Sequence, residues 1–129
     1  MSEDEPKRAV RVAERVRAEL MDMLLRGEVH DPGVRDVFVS DVQVSDDLSY
    51  AHVYVRLLET EVPDRRKVAA VRAMKRASGF LRSRIAGRLK MKRVPELDFH
   101  WDDVVDRALR VENILEEIRH EDDEGGEET

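Results

Sequence analysis

From Tyr50 to Leu58 the chain alternates without a fault. Ala51, Val53, Val55 and Leu57 fall on one side of an extended backbone, and Tyr50, His52, Tyr54 and Arg56 fall on the other. Successive side chains of a strand point to opposite faces, so this segment buries one face and leaves the other wet. A second run rich in β-branched residues, Phe38 to Val44, precedes it across the turn signal Asp46-Asp47. So short a connection makes the two an antiparallel hairpin. In the first strand Val37 and Val39 lie out of phase with Val42 and Val44. A bulge near Ser40-Asp41 would reconcile them.

Helical periodicity brackets the hairpin. Ala9, Ala13, Val16, Leu20, Met23 and Leu24 make one apolar stripe, which predicts a helix from about Lys7 to Arg26, stopped by Gly27. Arg8, Arg11 and Arg15 line a second face. Asp31-Pro32-Gly33 is a turn. Pro63-Asp64 opens a second helical region with Asp64 as N-cap. Ala70, Ala73, Met74 and Ala77 share its apolar face; Arg65, Arg72, Lys75 and Arg76 share the opposite one. Ala77-Ser78-Gly79 interrupts this helix, since Gly costs about 1 kcal/mol relative to Ala there. Leu81, Ile85 and Leu89 then resume the spacing. Pro95 to Trp101 reads as a third strand, with Leu97, Phe99 and Trp101 on one face and Asp98 and His100 on the other. Val104, Ala108, Val111, Leu115 and Ile118 mark a C-terminal helix capped by Asp102 or Asp103. The order predicts an α+β domain, a three-stranded sheet with helices packed on one face. A parallel crossover from second to third strand would be right-handed.

A chain of 129 residues with 41% apolar content suffices for one domain with a real core. The predicted boundaries are a disordered N-terminus at 1–6, a folded domain at 7–120 and a disordered acidic tail at 121–129. The absence of cysteine excludes disulfides and thiolate metal sites. No apolar run approaches the ~20 residues of a membrane span, and the N-terminus is too acidic for a secretory signal. A cytoplasmic protein without membrane contact is expected.

Twelve basic residues lie between Arg65 and Arg93 with no acidic residue among them. The chain as a whole carries −6, so with +12 in this stretch the rest carries −18. A helix built for stability would interleave Glu with Lys at i, i+4; this one repels itself. Such separation of charge suits a polyanionic partner, and phosphate backbones are the commonest. Asp41, Asp46, Asp47 and Glu59 cluster on or beside the hairpin, so the open sheet face would repel phosphates. That disfavours recognition by Tyr54 and His52 stacking on bases.

Chemistry at a catalytic site finds little support. His30, His52, His100 and His120 lie far apart with no His-x-x-x-His spacing, so no metal site is expected. Asp98, Asp102 and Asp103 sit near His100, but a strand running into a helix cap explains them. There is neither a Gly-rich phosphate loop nor a nucleophile elbow. Trp101 reads as a core or edge aromatic.

Several blocks together are specific. Arg11-Val12 with Leu20 and Leu24 begins the series, followed by Asp31-Pro32 and by Val42 through Asp47-Leu48. Ala51-x-Val53-Tyr54-Val55, Ala77-Ser78-Gly79-Phe80-Leu81-Arg82 and Val94-Pro95-Glu96-Leu97-x-Phe99 come next, then Asp102 and Asp103. In this order and spacing, from about Lys7 to His120, the chain resembles the ribosome-binding factor A family of bacterial small-subunit assembly factors. The resemblance implies a type II KH-like fold, α-β-β-α-(kink)-α-β followed by a C-terminal helix, with Ala77-x-Gly79 at the interhelical kink. It implies binding to the immature 30S subunit and 16S rRNA, a role in late maturation and 5′-end processing of 16S rRNA, and importance for growth in the cold. It implies no cofactor and no enzymatic activity. Gly33 stands where many relatives place a basic residue, which puts an RNA contact there in doubt.

On this reading Arg72, Lys75, Arg76 and Arg82 hold phosphates on either side of the kink, and Ser78 and Gly79 admit the backbone closely. Arg11 and Arg15 extend the footprint, and Lys90, Lys92 and Arg93 add to it from the connector. The expected partner is the free 30S subunit rather than the 70S ribosome, bound by a monomer with no small-molecule substrate. The alternatives are an adaptor whose basic helix docks on an acidic protein without touching RNA, and a small enzyme using His100.

Overall fold

The computed structural model describes residues 4–104 together with 115, 116, 118 and 119. The order is α1 (Asp4–Leu25), a 3-10 turn (Pro32–Val34), β1 (Val37–Val44), β2 (Tyr50–Leu57), α2 (Asp64–Arg76), α3 (Ser78–Leu89) and β3 (Glu96–Trp101). The alternating strand β2 is the middle of the sheet, antiparallel to β1 and parallel to β3. Its Ala51, Val53, Val55 and Leu57 are buried. The β1 register slips between Val39 and Asp41, at the bulge the phase of the valines calls for. The extra residue brings Val42 back to the core beside Val37 and Val39. The hydroxyl of Ser40 lies 2.7 Å from Asp102 Oδ2 and 3.2 Å from the Tyr54 carbonyl oxygen, which ties the bulge to the chain leaving β3.

One core fills the space between sheet and helices. Val16, Leu20 and Met23 of α1, Ala70 and Met74 of α2, and Leu81 and Ile85 of α3 meet the inward residues of the strands, Leu97 and Phe99 of β3 included. Helix α1 packs on β1 and α2 on β3, so the helices cover one sheet face, and no helix among the described residues 4–104 covers the other. No buried polar or charged residue interrupts this core among the described residues.

Local chemistry explains most element ends. Gly27 takes φ 69°, and the amides of Gly27 and Glu28 close back on the carbonyls of Leu24 and Met23 at 3.2 and 3.0 Å. That left-handed closure suits glycine. Helix α1 starts at Asp4, three residues before the Lys7 read from periodicity. The N-cap of α2 is Pro63, in extended conformation, and no side chain caps the helix. Asp64, expected as the cap, is instead the first helical residue, where its charge still complements the helix dipole. Asp102 accepts the Val104 amide at 3.1 Å, as a cap would. Apart from residues 104, 115, 116, 118 and 119, the predicted C-terminal helix lies outside the described residues, as does the tail at 121–129. No helix among the described residues is long and apolar enough to cross a membrane.

Candidate nucleic-acid interface

Helix α2 forms because its apolar residues recur on one face: Ala70, Ala73 and Met74 are buried. The same periodicity turns Arg65, Arg72, Lys75 and Arg76 outward, and all four are exposed. Val68, 47% exposed, is an apolar residue on this outward side. Lys67, Val68, Val71, Arg72 and Lys75 line a groove against Trp101, with the Lys67 ammonium 5.4 Å from the indole centroid. Neither Arg72 nor Lys75 has an ion-pair partner among the described residues.

Not all of the basic run is available. The Arg76 guanidinium pairs with Asp31, Nε to Oδ2 at 2.9 Å and Nη2 to Oδ1 at 3.2 Å. This hydrogen bond, with that from the Gly33 amide, holds the Asp31 carboxyl below its usual range, and it raises the Arg76 pKa in turn. Arg88 is clamped more completely. Its Nη1 lies 3.2 Å from both Glu19 and Asp22, and its Nη2 lies 2.8 Å from Glu28. Arg66 donates to the carbonyls of Gly33 and Arg35 at 3.1 and 2.7 Å. The fold therefore supplies counterions of its own to two residues of the run, Arg76 and Arg88. Their carboxylates come from α1 and the loop after it, far back along the chain.

The helix breaks at Ala77 alone (φ −84°, ψ −2°), and α3 begins at Ser78. Ala77 is the N-cap of α3, and no side chain caps the first-turn amides of Ser78, Gly79 and Phe80. Those donors therefore sit at the positive end of α3, a favourable place for an anion. A Cβ on Gly79 would meet nothing within 4 Å, and Gly79 is not among the residues at positive φ. The fold thus does not demand glycine there, and its effect is to leave bare backbone at the kink. Gly33 is the opposite case: a Cβ there would lie 2.7 Å from the Ala73 Cβ on α2. Gly33→Ala should therefore cost about 1–3 kcal/mol by overpacking. Gly79→Ala should gain up to about 1 kcal/mol of helix stability. Urea midpoints of the two variants should move in opposite directions.

A second group of cations gathers at the far end of α3. Arg82, Lys92 and Arg93 line a cleft of about 890 Å³ together with Arg8 of α1, beside Asp47 and Glu96. Arg82 donates to the Val94 carbonyl at 3.1 Å, which fixes it over the connector. Ser49 and then Ser45, by hydrogen bonding, hold the Asp47 carboxyl below its usual range. Lys90 is exposed in a left-handed turn (φ 52°) that ends α3, and Arg11 and Arg15 are exposed on α1. The sequence reading left Arg8 and Lys67 out of the site. Arg8 shares the outward face of Arg11 and Arg15, and that spacing was the available signal. Lys67 enters only through the approach of Trp101, which no local pattern encodes.

The open sheet face departs from expectation in one respect. His52 and His100, far apart in sequence, come together: His52 Nδ1 and His100 Nε2 lie 3.2 and 2.7 Å from one oxygen of Asp98. Parallel pairing of β2 with β3 sets His52 beside Asp98.

The element order, the mixed sheet covered on one face and the helix broken at a single residue define a KH-like α+β domain. The model of the family described as ribosome-binding factor A matches residues 8–115, and the chain belongs to that family. A ribosome-binding factor A from Xanthomonas euvesicatoria is 41% identical over 122 residues, covering 95% of this chain and 88% of the relative. The crystal structure of ribosome-binding factor A from Thermus thermophilus superposes with a TM-score of 0.62 at 26% identity, over 74% of this chain and 97% of that one. A homology model of the Thermus thermophilus factor, fitted into a cryo-EM map of a 30S complex, gives 0.50 at 30% identity, over 69% and 94%.

Proposed function

We propose that this chain is a non-enzymatic assembly factor that binds the immature 30S subunit through the outer side of its helices and grips 16S rRNA phosphates there. The observation that carries the reading is the set of cations left exposed after the fold has satisfied itself. Arg72, Lys75, Arg82, Lys90, Lys92, Arg93, Arg11 and Arg15 have no ion-pair partner among the described residues. The Thermus thermophilus factor fitted into a 30S complex supports the choice of partner. By holding one rRNA conformation more tightly than another, the chain would shift the folding of the RNA towards the mature form. Late maturation, 16S rRNA 5′-end processing, growth in the cold and a cytoplasmic monomer acting on free 30S rather than 70S all belong to this proposal.

Cross-linking to purified immature 30S particles, read out by RNA sequence, tests it. Cross-links to 16S rRNA from α2, α3 and the connector are expected. A complex that survives complete RNA digestion would instead identify an adaptor docked on an acidic protein.

A further inference from the structure

The geometry points to a second site, unrelated to the cationic ridge: we propose that His52, Asp98 and His100 bind one first-row transition-metal dication of the zinc type on the open face of the sheet. One ligand atom from each residue lies within 4.8 Å of the other two. With metal bonds of ~2.0–2.2 Å, tetrahedral ligand atoms sit roughly 3.3–3.6 Å apart. The two nitrogen-to-oxygen separations, 3.2 and 2.7 Å, need only a small spreading of side chains to admit an ion. Two imidazoles and a carboxylate suit zinc, cobalt, nickel or copper, not the all-oxygen preference of magnesium or calcium. Water would complete the coordination.

The backbone holds the three residues in place. His52 and Asp98 are direct partners in the parallel ladder, and His100 follows Asp98 by two on the same face. The Tyr54 ring stacks on His100 at 5.5 Å and 29°, which restrains that imidazole. Across the hairpin, Gln43 is paired with His52 and Asp41 with Tyr54. Neither neighbour is basic, and Asp41 adds to the negative field that favours a cation. All three ligand side chains are 43% exposed, so an ion has a way in. Metal binding needs unprotonated nitrogens towards Asp98. Without an ion the Asp98 carboxylate can only accept, so His52 Nδ1 and His100 Nε2 donate to it; a metal takes the place of those protons, and each imidazole then carries its proton on its other nitrogen.

The site would staple β2 to β3, strands joined only through the long excursion of α2 and α3. Isothermal titration of the full chain with zinc sulfate should give one ion per chain with Kd of about 10 μM or lower. His52→Ala and His100→Ala should each weaken this by about 100-fold or more, while His30→Ala and His120→Ala leave it unchanged. Asp98→Asn keeps the shape of the cluster and should keep the circular dichroism spectrum yet lose the affinity. Saturating zinc should raise Tm of the natural chain by about 5–10 °C and leave that of Asp98→Asn unmoved. Cobalt should give ligand-field absorption bands that vanish in His52→Ala. No binding at 1 mM zinc, or equal affinity in the natural chain and both histidine variants, would overturn the proposal. Reversal of charge at Arg72 leaves this readout untouched, so it stands or falls apart from RNA binding.

Discussion

Affinity for immature 30S should fall roughly 300-fold between 50 and 200 mM salt if about six phosphates are engaged with a single-strand-like slope. Six cations on α2, α3 and the connector can supply that number: Arg72, Lys75, Arg82, Lys90, Lys92 and Arg93. Reversing two of them, Arg72→Glu with Lys75→Glu, removes two phosphate contacts. The loss over the same salt range should then shrink to about 50-fold, starting from a far weaker complex. Both residues are exposed and outside the core, so the variant should keep its helical signal. Arg76 is the poorer choice for such an experiment because its reversal also strands Asp31 beside a like charge. Co-sedimentation with 30S across a salt series measures both quantities. A flat salt response would remove phosphate gripping as the mechanism, and full binding by the double variant would move the contact off α2.

The two faces of α2 were legible in the sequence because a helix repeats every 3.6 residues, and Ala70, Ala73 and Met74 needed no tertiary information to be set opposite Arg72. The same holds for β2, and for the bulge at Ser40-Asp41, where a phase error in the valines marks the extra residue. What stayed hidden depends on contacts between distant segments. Arg88 looks like one more solvated cation from its neighbours, yet Glu19, Asp22 and Glu28 reach it from 60 to 69 residues earlier. These pairs raise its pKa, with the Glu19 hydrogen bond the largest cause. His52 meets Asp98 across 46 residues because the parallel register of β2 and β3 aligns them, and register is set by packing. Charge counting therefore overstated how much of the basic run is free.

Phe99→Ala should remove about 3–5 kcal/mol of stability. Only roughly 5–15 kcal/mol separates folded from unfolded for a typical domain. Phe99 is 1% exposed, sits opposite Val53 in the parallel ladder and is the largest fully buried side chain among the described residues. Its ring is the main contribution of β3 to the core beneath the helices, and the close-packed strands around it can collapse only partly into the space it would leave. Phe80 supplies the contrast. It is 40% exposed in the first turn of α3, with the Arg84 guanidinium 5.1 Å from its ring centroid. Phe80→Ala forfeits that contact and little burial, so it should cost about 1 kcal/mol or less. Urea denaturation of the two variants gives the comparison directly, with an unchanged slope required before the midpoints are read as stability. Equal losses at the two positions would mean that β3 is not the buried partner of the helices.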